Sequence, residues 1–236
     1  MSLVGVLAFQ GDFSEHHQIL KDLEVASIDV RNLEDLAKVS ALIIPGGEST
    51  VIAKFLEETG VGREVVRRVT TVGKGGKEGM EGKGSKVGKG GKGSKEGKGG
   101  EFMSNKGSRY LPAVDSQGLS VFGTCAGAIV LARKATGKNA PKTLGLIDVT
   151  IDRNAYGSQV DSFETAVKVT GIRNSVDVAF IRAPKITSVG RGVEVLANHK
   201  GLPVLVRQGS VMIATFHPEV RGQTLVHRLF LQQLSD

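Results

Sequence analysis

The stretch Val121-Phe122-Gly123-Thr124-Cys125-Ala126-Gly127-Ala128-Ile129 limits what this chain can be more than any other. An apolar run ends in Gly-x-Cys-x-Gly, and an apolar helical pattern follows at once. Strand, sharp turn, reactive side chain, helix is the form of a nucleophile elbow. Such a turn crowds its own backbone, and glycine alone accepts unusual φ/ψ and close approach cheaply. Cys125 then stands at the first turn of a helix. Unpaired N–H groups and the positive end of the helix dipole stabilise a thiolate there. A small buried structural cysteine is a common alternative, but it does not call for the two flanking glycines.

Cys125 is also the only cysteine of the 236 residues. An internal disulfide is excluded, and one thiol suits a reducing, cytoplasmic setting. No cysteine pair or H-E-x-x-H stands in the sequence, so no metal signature is read. The N-terminal Met1-Ser2-Leu3-Val4 lacks the basic start of a secretory signal. No stretch reaches the roughly 20 apolar residues of a membrane span. The formal net charge is +7, but the segment Gly73–Gly100 holds eight lysines and three glutamates. Most of the excess therefore lies in one segment, and a basic globular face for nucleic acid is not expected. That segment repeats Gly-Lys and Gly-Ser-Lys with almost no apolar residues. Its composition predicts a disordered insert, because it cannot bury enough surface to offset its ordering entropy. Its role is left open between a passive spacer and a charge-only contact.

The rest alternates strands and helices. Leu3–Phe9 and Ala41–Ile44 are short continuous apolar runs, as expected for strands buried on both faces of a parallel sheet. Ile28–Arg31 reads as a further strand. Helices are predicted over Ser14–Val25, in a short piece at Leu33–Val39, through Ile52–Leu56 and near Arg63–Val69. The second buried strand ends in Pro45-Gly46-Gly47-Glu48-Ser49-Thr50, a turn at the carboxyl edge of a sheet, where ligands bind. It is not a phosphate loop, since the Gly-Lys-Ser/Thr ending is absent. Glu101–Gln117 reads as a loose return to the fold. After the elbow come a helix over Ala126–Lys134 closed by Gly137, a strand over Leu144–Ile151 and a polar stretch over Arg153–Glu164. Strands are then expected at Val167–Val169, Val178–Ile181, Val193–Leu196, Val204–Val206 and Val211–Phe216, with a closing helix over Thr224–Leu234. The pattern predicts one α/β domain, 1–236, with a mostly parallel sheet, an antiparallel extension and the insert at 73–100.

His217-Pro218-Glu219 follows the last strand. In an extended chain, residues two apart point the same way, so Glu219 can orient His217. A strand-end His beside a Glu is commonly an ordinary surface pair. Together with Cys125, however, the three make the set needed for acyl transfer: nucleophile, proton carrier and orienting acid. The Ala126 N–H and the Gly46–Gly47 turn are the natural oxyanion donors.

Gly-Thr-Cys-Ala-Gly with a late Phe-His-Pro-Glu resembles the class I, triad-type glutamine amidotransferases. Pro-Gly-Gly-Glu-Ser-Thr, Arg-Asn-Ala-Tyr-Gly, Phe-Ile-Arg-Ala-Pro and the opening Phe-Gln-Gly-Asp, followed by Glu-His, narrow the likeness to the glutaminase subunits of pyridoxal 5′-phosphate synthases. It covers the chain except about Thr71–Gln117. The resemblance implies a flavodoxin-like, three-layer fold and hydrolysis of L-glutamine to L-glutamate and ammonia. It implies a γ-glutamyl thioester on Cys125, with His217 as base and acid and Glu219 orienting it. Substrate contacts fall on Gly47, Glu48, Ser49, Arg153, Ile181 and Arg182, and the oxyanion donors on Gly47 and Ala126. Gln10 falls at the interface with the ring-forming synthase subunit, which is the implied partner and receives the ammonia. No cofactor, metal, membrane or nucleic-acid partner is implied. Ser158 stands where the family often has Arg, and the insert departs from the family pattern. Service to another synthase, or a non-catalytic regulator on the same fold, are the alternatives.

Overall fold

The structure is a computed structural model, in which residues 3–72, 118–153 and 162–234 are described. The expectations for the insert at 73–100, the return over 101–117 and Ser158 lie outside the described residues.

Seven strands form the central sheet. In chain order they are β1 (Val4–Leu7), β2 (Ser27–Val30), β3 (Ala41–Ile44), β4 (Ser120–Thr124), β10 (Glu194–His199), β11 (Leu202–Gln208) and β12 (Val211–Ala214). Their spatial order is β10-β11-β12-β4-β3-β1-β2. All pairs from β2 to β12 are parallel, and β10 and β11 extend the sheet antiparallel. This is the predicted arrangement.

Period-2 alternation builds a core on each side of the sheet. Leu42, Ile44, Val121 and Ile213 face one way. They meet α3 (Ser49–Glu58), α4 (Val61–Val72) and α5 (Ala126–Leu131), through Ile52, Leu56, Val65 and Val130. Ala41, Ile43, Phe122 and Met212 face the other way. They pack with α1 (Phe13–Asp22) and α6 (Leu225–Gln232), through Leu20, Val226 and Phe230. Helices on both faces of one sheet give the three-layer α/β fold. Both faces are dry, which is why these strands read as unbroken apolar runs. A short helix, α2 (Leu33–Leu36), links β2 to β3. Among the described residues, no helix is long and apolar enough to cross a membrane.

Several boundaries differ from expectation, for local reasons. Helix α1 stops at Asp22, because Glu24 turns left-handed (φ 58°). The expected helix over Ala126–Lys134 ends at Leu131, and β5 (Ala132–Thr136) follows it. Its terminal carbonyls are taken by a neighbouring segment: Val130 and Leu131 accept from the Leu144 and Leu146 N–H groups at 2.7 and 2.9 Å. β5 pairs with β6 (Ile147–Asp152), and β6 with β9 (Lys185–Val189), a strand the sequence reading missed. Only Ile186 of β9 is fully buried, so its apolar signal is weak. β7 (Phe163–Val167) pairs with β8 (Val176–Phe180). β7 begins earlier than expected because Phe163 stacks on Phe180, with centroids 4.9 Å apart.

Candidate active site

The site stands at the carboxyl ends of three adjacent strands: β3, β4 and β12. The β4–α5 turn is an elbow in fact. Cys125 has φ 47° and ψ −102°, a left-handed backbone that non-glycine residues rarely adopt. The neighbouring glycines let it form. A Cβ on Gly127 would sit 2.0 Å from the Ile44 carbonyl oxygen, and one on Gly123 would meet Leu131 and the Gly127 backbone at 2.6–2.7 Å. The Cys125 N–H donates to the Ala214 carbonyl at 2.9 Å, tying the turn to β12. Ala126 opens α5, so its N–H is among the helix donors without an intrahelical acceptor.

His217 is held by its backbone, not by the end of a long strand. Its N–H donates to the Ala179 carbonyl at 2.8 Å, forming a bridge to β8. The expected extended path through Glu219 is not found. Pro218 is helical (φ −69°, ψ −25°), and Glu219 begins a 3-10 turn, Glu219–Arg221. The pair still forms: His217 Nδ1 and Glu219 Oε1 are 2.7 Å apart, with both side chains buried. The turn achieves what alternation was expected to do.

Two further groups face His217. Cys125 stands close enough to favour its charged form. Asp12, on the turn after β1, places Oδ2 3.5 Å from Nδ1. Burial opposes the charged imidazolium, but interactions with Asp12, Cys125 and Glu219 outweigh it, and the His217 pKa is pushed up to about 12. Contact with His217 holds the Asp12 carboxyl below its usual range, against a smaller opposing effect of burial. Burial raises Glu219, and His217 partly offsets this. The donor atoms of Asp12, His217 and Glu219 lie within 4.8 Å of one another, a spacing a metal could also use. The 2.7 Å contact is, however, an ordinary charge-assisted hydrogen bond at the nitrogen a metal would need.

The Gly46–Ser49 turn lies across from the elbow. A Cβ on Gly46 would meet the His217 ring at 2.4 Å, so this turn packs directly on the imidazole. Gly47 has φ 142°. The turn rests on Gln10-Gly11-Asp12: Gln10 Nε2 donates to the Glu48 carbonyl at 3.1 Å. A Cβ on Gly11 (φ 92°) would fall 1.8 Å from the Gly46 oxygen. Ser49 is buried, and its hydroxyl has no hydrogen-bond partner among the described residues. Arg153 reaches the same turn, donating to Glu48 Oε1 at 2.7 Å and to the Asn139 carbonyl at 2.5 Å. Burial works against charge on Glu48, but Thr50 and Arg153 keep its carboxyl below the usual range. On the other side, the Ile181 carbonyl is 3.9 Å from Cys125 Sγ, and Arg182 beside it is left-handed (φ 46°).

Cys125, His217 and Glu219 are thus brought together, with Gly46–Gly47 and Ile181 around them. Arg153 and Glu48 meet each other at the same turn. The sequence reading missed Asp12 as a site residue. Its position one turn beyond the first strand's carboxyl end was the available signal.

The chain matches the SNO glutamine amidotransferase family over residues 6–77 and 102–236. A pyridoxal 5′-phosphate synthase subunit PdxT of Thermus thermophilus is 41% identical over 230 residues, covering 98% of this chain and 96% of the relative. PdxT of Thermotoga neapolitana is 36% identical over 232 residues, covering 98% of each. A crystal structure of a glutamine amidotransferase superimposes with a TM-score of 0.75 at 39% identity, covering 99% of both chains. PurLQS from Thermotoga maritima, at 12% identity and a TM-score of 0.62 over 99% of this chain and 100% of that one, shares the fold alone. The chain belongs to the SNO glutamine amidotransferase family.

Proposed function

We propose that the chain is the glutaminase subunit of a pyridoxal 5′-phosphate synthase, a single domain interrupted by the insert at 73–100. It hydrolyses L-glutamine to L-glutamate and ammonia and passes the ammonia to the ring-forming subunit in the cytoplasm. The convergence of Cys125, His217 and Glu219 carries the chemistry, and the near full-length likeness to PdxT chains supports the synthase partner.

Cys125 attacks the side-chain amide carbon as a thiolate, and a C–S bond forms. The Ala126 and Gly47 N–H groups hold the oxyanion. His217, protonated by virtue of its raised pKa, gives its proton to the leaving nitrogen. The C–N bond breaks and ammonia departs. Water then attacks the γ-glutamyl thioester while His217 takes its proton. Glutamate leaves, and the thiolate returns. Glu219 keeps the imidazole oriented and charged. Arg153, Glu48, Ser49 and the Ile181–Arg182 backbone hold the amino-acid end of glutamine. The Arg153–Glu48 pair offers one charge to each end of a zwitterion. Gln10 braces the oxyanion turn at the partner surface.

The test is ammonia release from glutamine, with and without the ring-forming subunit. No release from the mixture would sink the proposal. If the fold were a regulator with a dormant triad, a glutamine-analogue electrophile would not label Cys125. Arg153→Ala is expected to raise KM by about tenfold or more, with kcat within about threefold. Steady-state kinetics on the complex decide this, and a loss confined to kcat would place Arg153 elsewhere.

A pH prediction follows from His217. Its folded pKa is raised above the unfolded value of about 6.5, so its contribution to stability is fully present below that value. It is lost as pH rises through the folded value of about 12. Urea unfolding from pH 6 to 10 is expected to show wild type losing stability relative to His217→Gln. A difference that grows with pH would be the wrong sign.

A further inference from the structure

Beneath the triad, Glu219 raises a problem. Its side chain is fully buried, and while Oε1 is paired with His217, Oε2 has no hydrogen-bond partner among the described residues. A buried carboxylate oxygen without a donor is costly. His16 Nε2 lies 3.7 Å from it, an electrostatic approach just beyond a closed hydrogen bond. His16 comes from the buried face of α1, at the helical spacing of Ile19 and Leu20. The same Nε2 is 3.4 Å from the hydroxyl of Thr124, the residue before the nucleophile. On its far side, His16 Nδ1 is 2.8 Å from Nε2 of His227, which stands on α6 and is equally buried.

Resting on the glutaminase reading above, we infer that His16 is a positioning residue: its Nε2–H, fixed in that tautomer by His227, points at Glu219 Oε2 and holds the carboxylate that orients His217. The tautomer follows from comparing the two settings of the histidine pair. With the proton on His16 Nε2, Nδ1 accepts from His227 Nε2–H, and His227 Nδ1 is left as an unpaired neutral acceptor. No hydrogen bond of normal geometry closes at that atom in either setting among the described residues. With the proton on His16 Nδ1, Nε2 can only accept, from the Thr124 hydroxyl at 3.4 Å, and its lone pair also faces a buried carboxylate oxygen. The backbone of Gln223 beside His227 favours this second setting. A buried carboxylate oxygen facing a lone pair costs more than an unpaired neutral nitrogen, so the first setting wins. Both histidines stay neutral. Burial drives His16 well below its ordinary value, with His227, His217 and His17 adding to the effect, and burial takes His227 to about 3. The charged or titratable groups facing Glu219 are His217, Asp12 and His16.

The experiment combines histidine 15N NMR on the full chain with kinetics of the complex. Wild type is expected to show His16 protonated at Nε2. His16→Leu removes the donor, so His217 loses its proton at lower pH than in wild type, and kcat falls about tenfold with little change in KM. His16→Gln keeps an N–H donor and is expected to restore His217's titration and hold kcat within about threefold of wild type. A proton on Nδ1 of His16 overturns the inference. So does a folded His16→Gln whose His217 titration moves, or a His16→Leu in which neither titration nor kcat changes. If His16→Leu does not fold, the tautomer and the Gln variant still decide. The NMR readouts need no glutamine, so a wild-type complex that releases no ammonia defeats the glutaminase reading without deciding this one.

Discussion

Cys125→Ala is expected to lower ammonia release by the complex at least about 10⁴-fold, the scale seen when a triad nucleophile is removed. The fold should survive the change. Alanine keeps the Cβ and the same strain at φ 47°, and the Cys125 backbone keeps its hydrogen bond to Ala214. Stability should therefore stay within about 1 kcal/mol of wild type, as for a small truncation at a packed site. Glutamine binding should persist, because the proposed amino-acid contacts lie on Glu48, Arg153 and the Ile181–Arg182 backbone. A coupled assay for glutamate and a urea titration check both halves. Equal rates for variant and wild type would remove Cys125 from the chemistry.

Gly127→Ala is expected to damage the fold itself. The new Cβ would stand 2.0 Å from the Ile44 carbonyl oxygen and 2.8 Å from its carbon. Both atoms belong to the backbone of β3 at the middle of the sheet, so no flexible side chain can give way. α5 would have to move off the sheet, taking Cys125 with it. A loss of about 3 kcal/mol or more is expected, at the upper end for overpacking. Gly145→Ala is the control. Gly145 has φ 69° but open space around its Cβ direction, so it carries backbone strain alone. Its cost should be about 1 kcal/mol. Thermal unfolding of the two variants side by side is the measurement. Equal losses would show that α5 is not locked against β3.

The elbow was legible in the sequence because its requirements are local. Two glycines, a cysteine and an apolar strand sit within a few residues, and each answers a steric demand of the same turn. β1, β3, β4 and β12 were legible because burial on both faces leaves unbroken apolar runs. β9 was not, since only Ile186 of it is buried at the edge of a small sheet. The shortened helix after the elbow was hidden for another reason. What stops it is the segment around Leu144–Leu146 competing for its carbonyls, which helical periodicity cannot register. His217 and Glu219 were paired correctly but by the wrong geometry, because the backbone at Pro218 is helical. Asp12 and His16 were missed because they meet His217 and Glu219 from the opposite end of the chain. The local traces of His16 were the Glu-His after Phe-Gln-Gly-Asp, which carried a likeness but no role, and a histidine in the apolar stripe of α1.

The proposed oxyanion turn, nucleophile and base follow three strands that are neighbours in the sheet. Their registers pair Ile44 with Gly123 and Ala214 with Thr124. The relative placement of the three groups is thus written into the ladder at the centre of the molecule, the part of a fold that opens last. Heat inactivation should accordingly track global melting, and the slowest-exchanging amides should include those immediately beneath the reacting atoms.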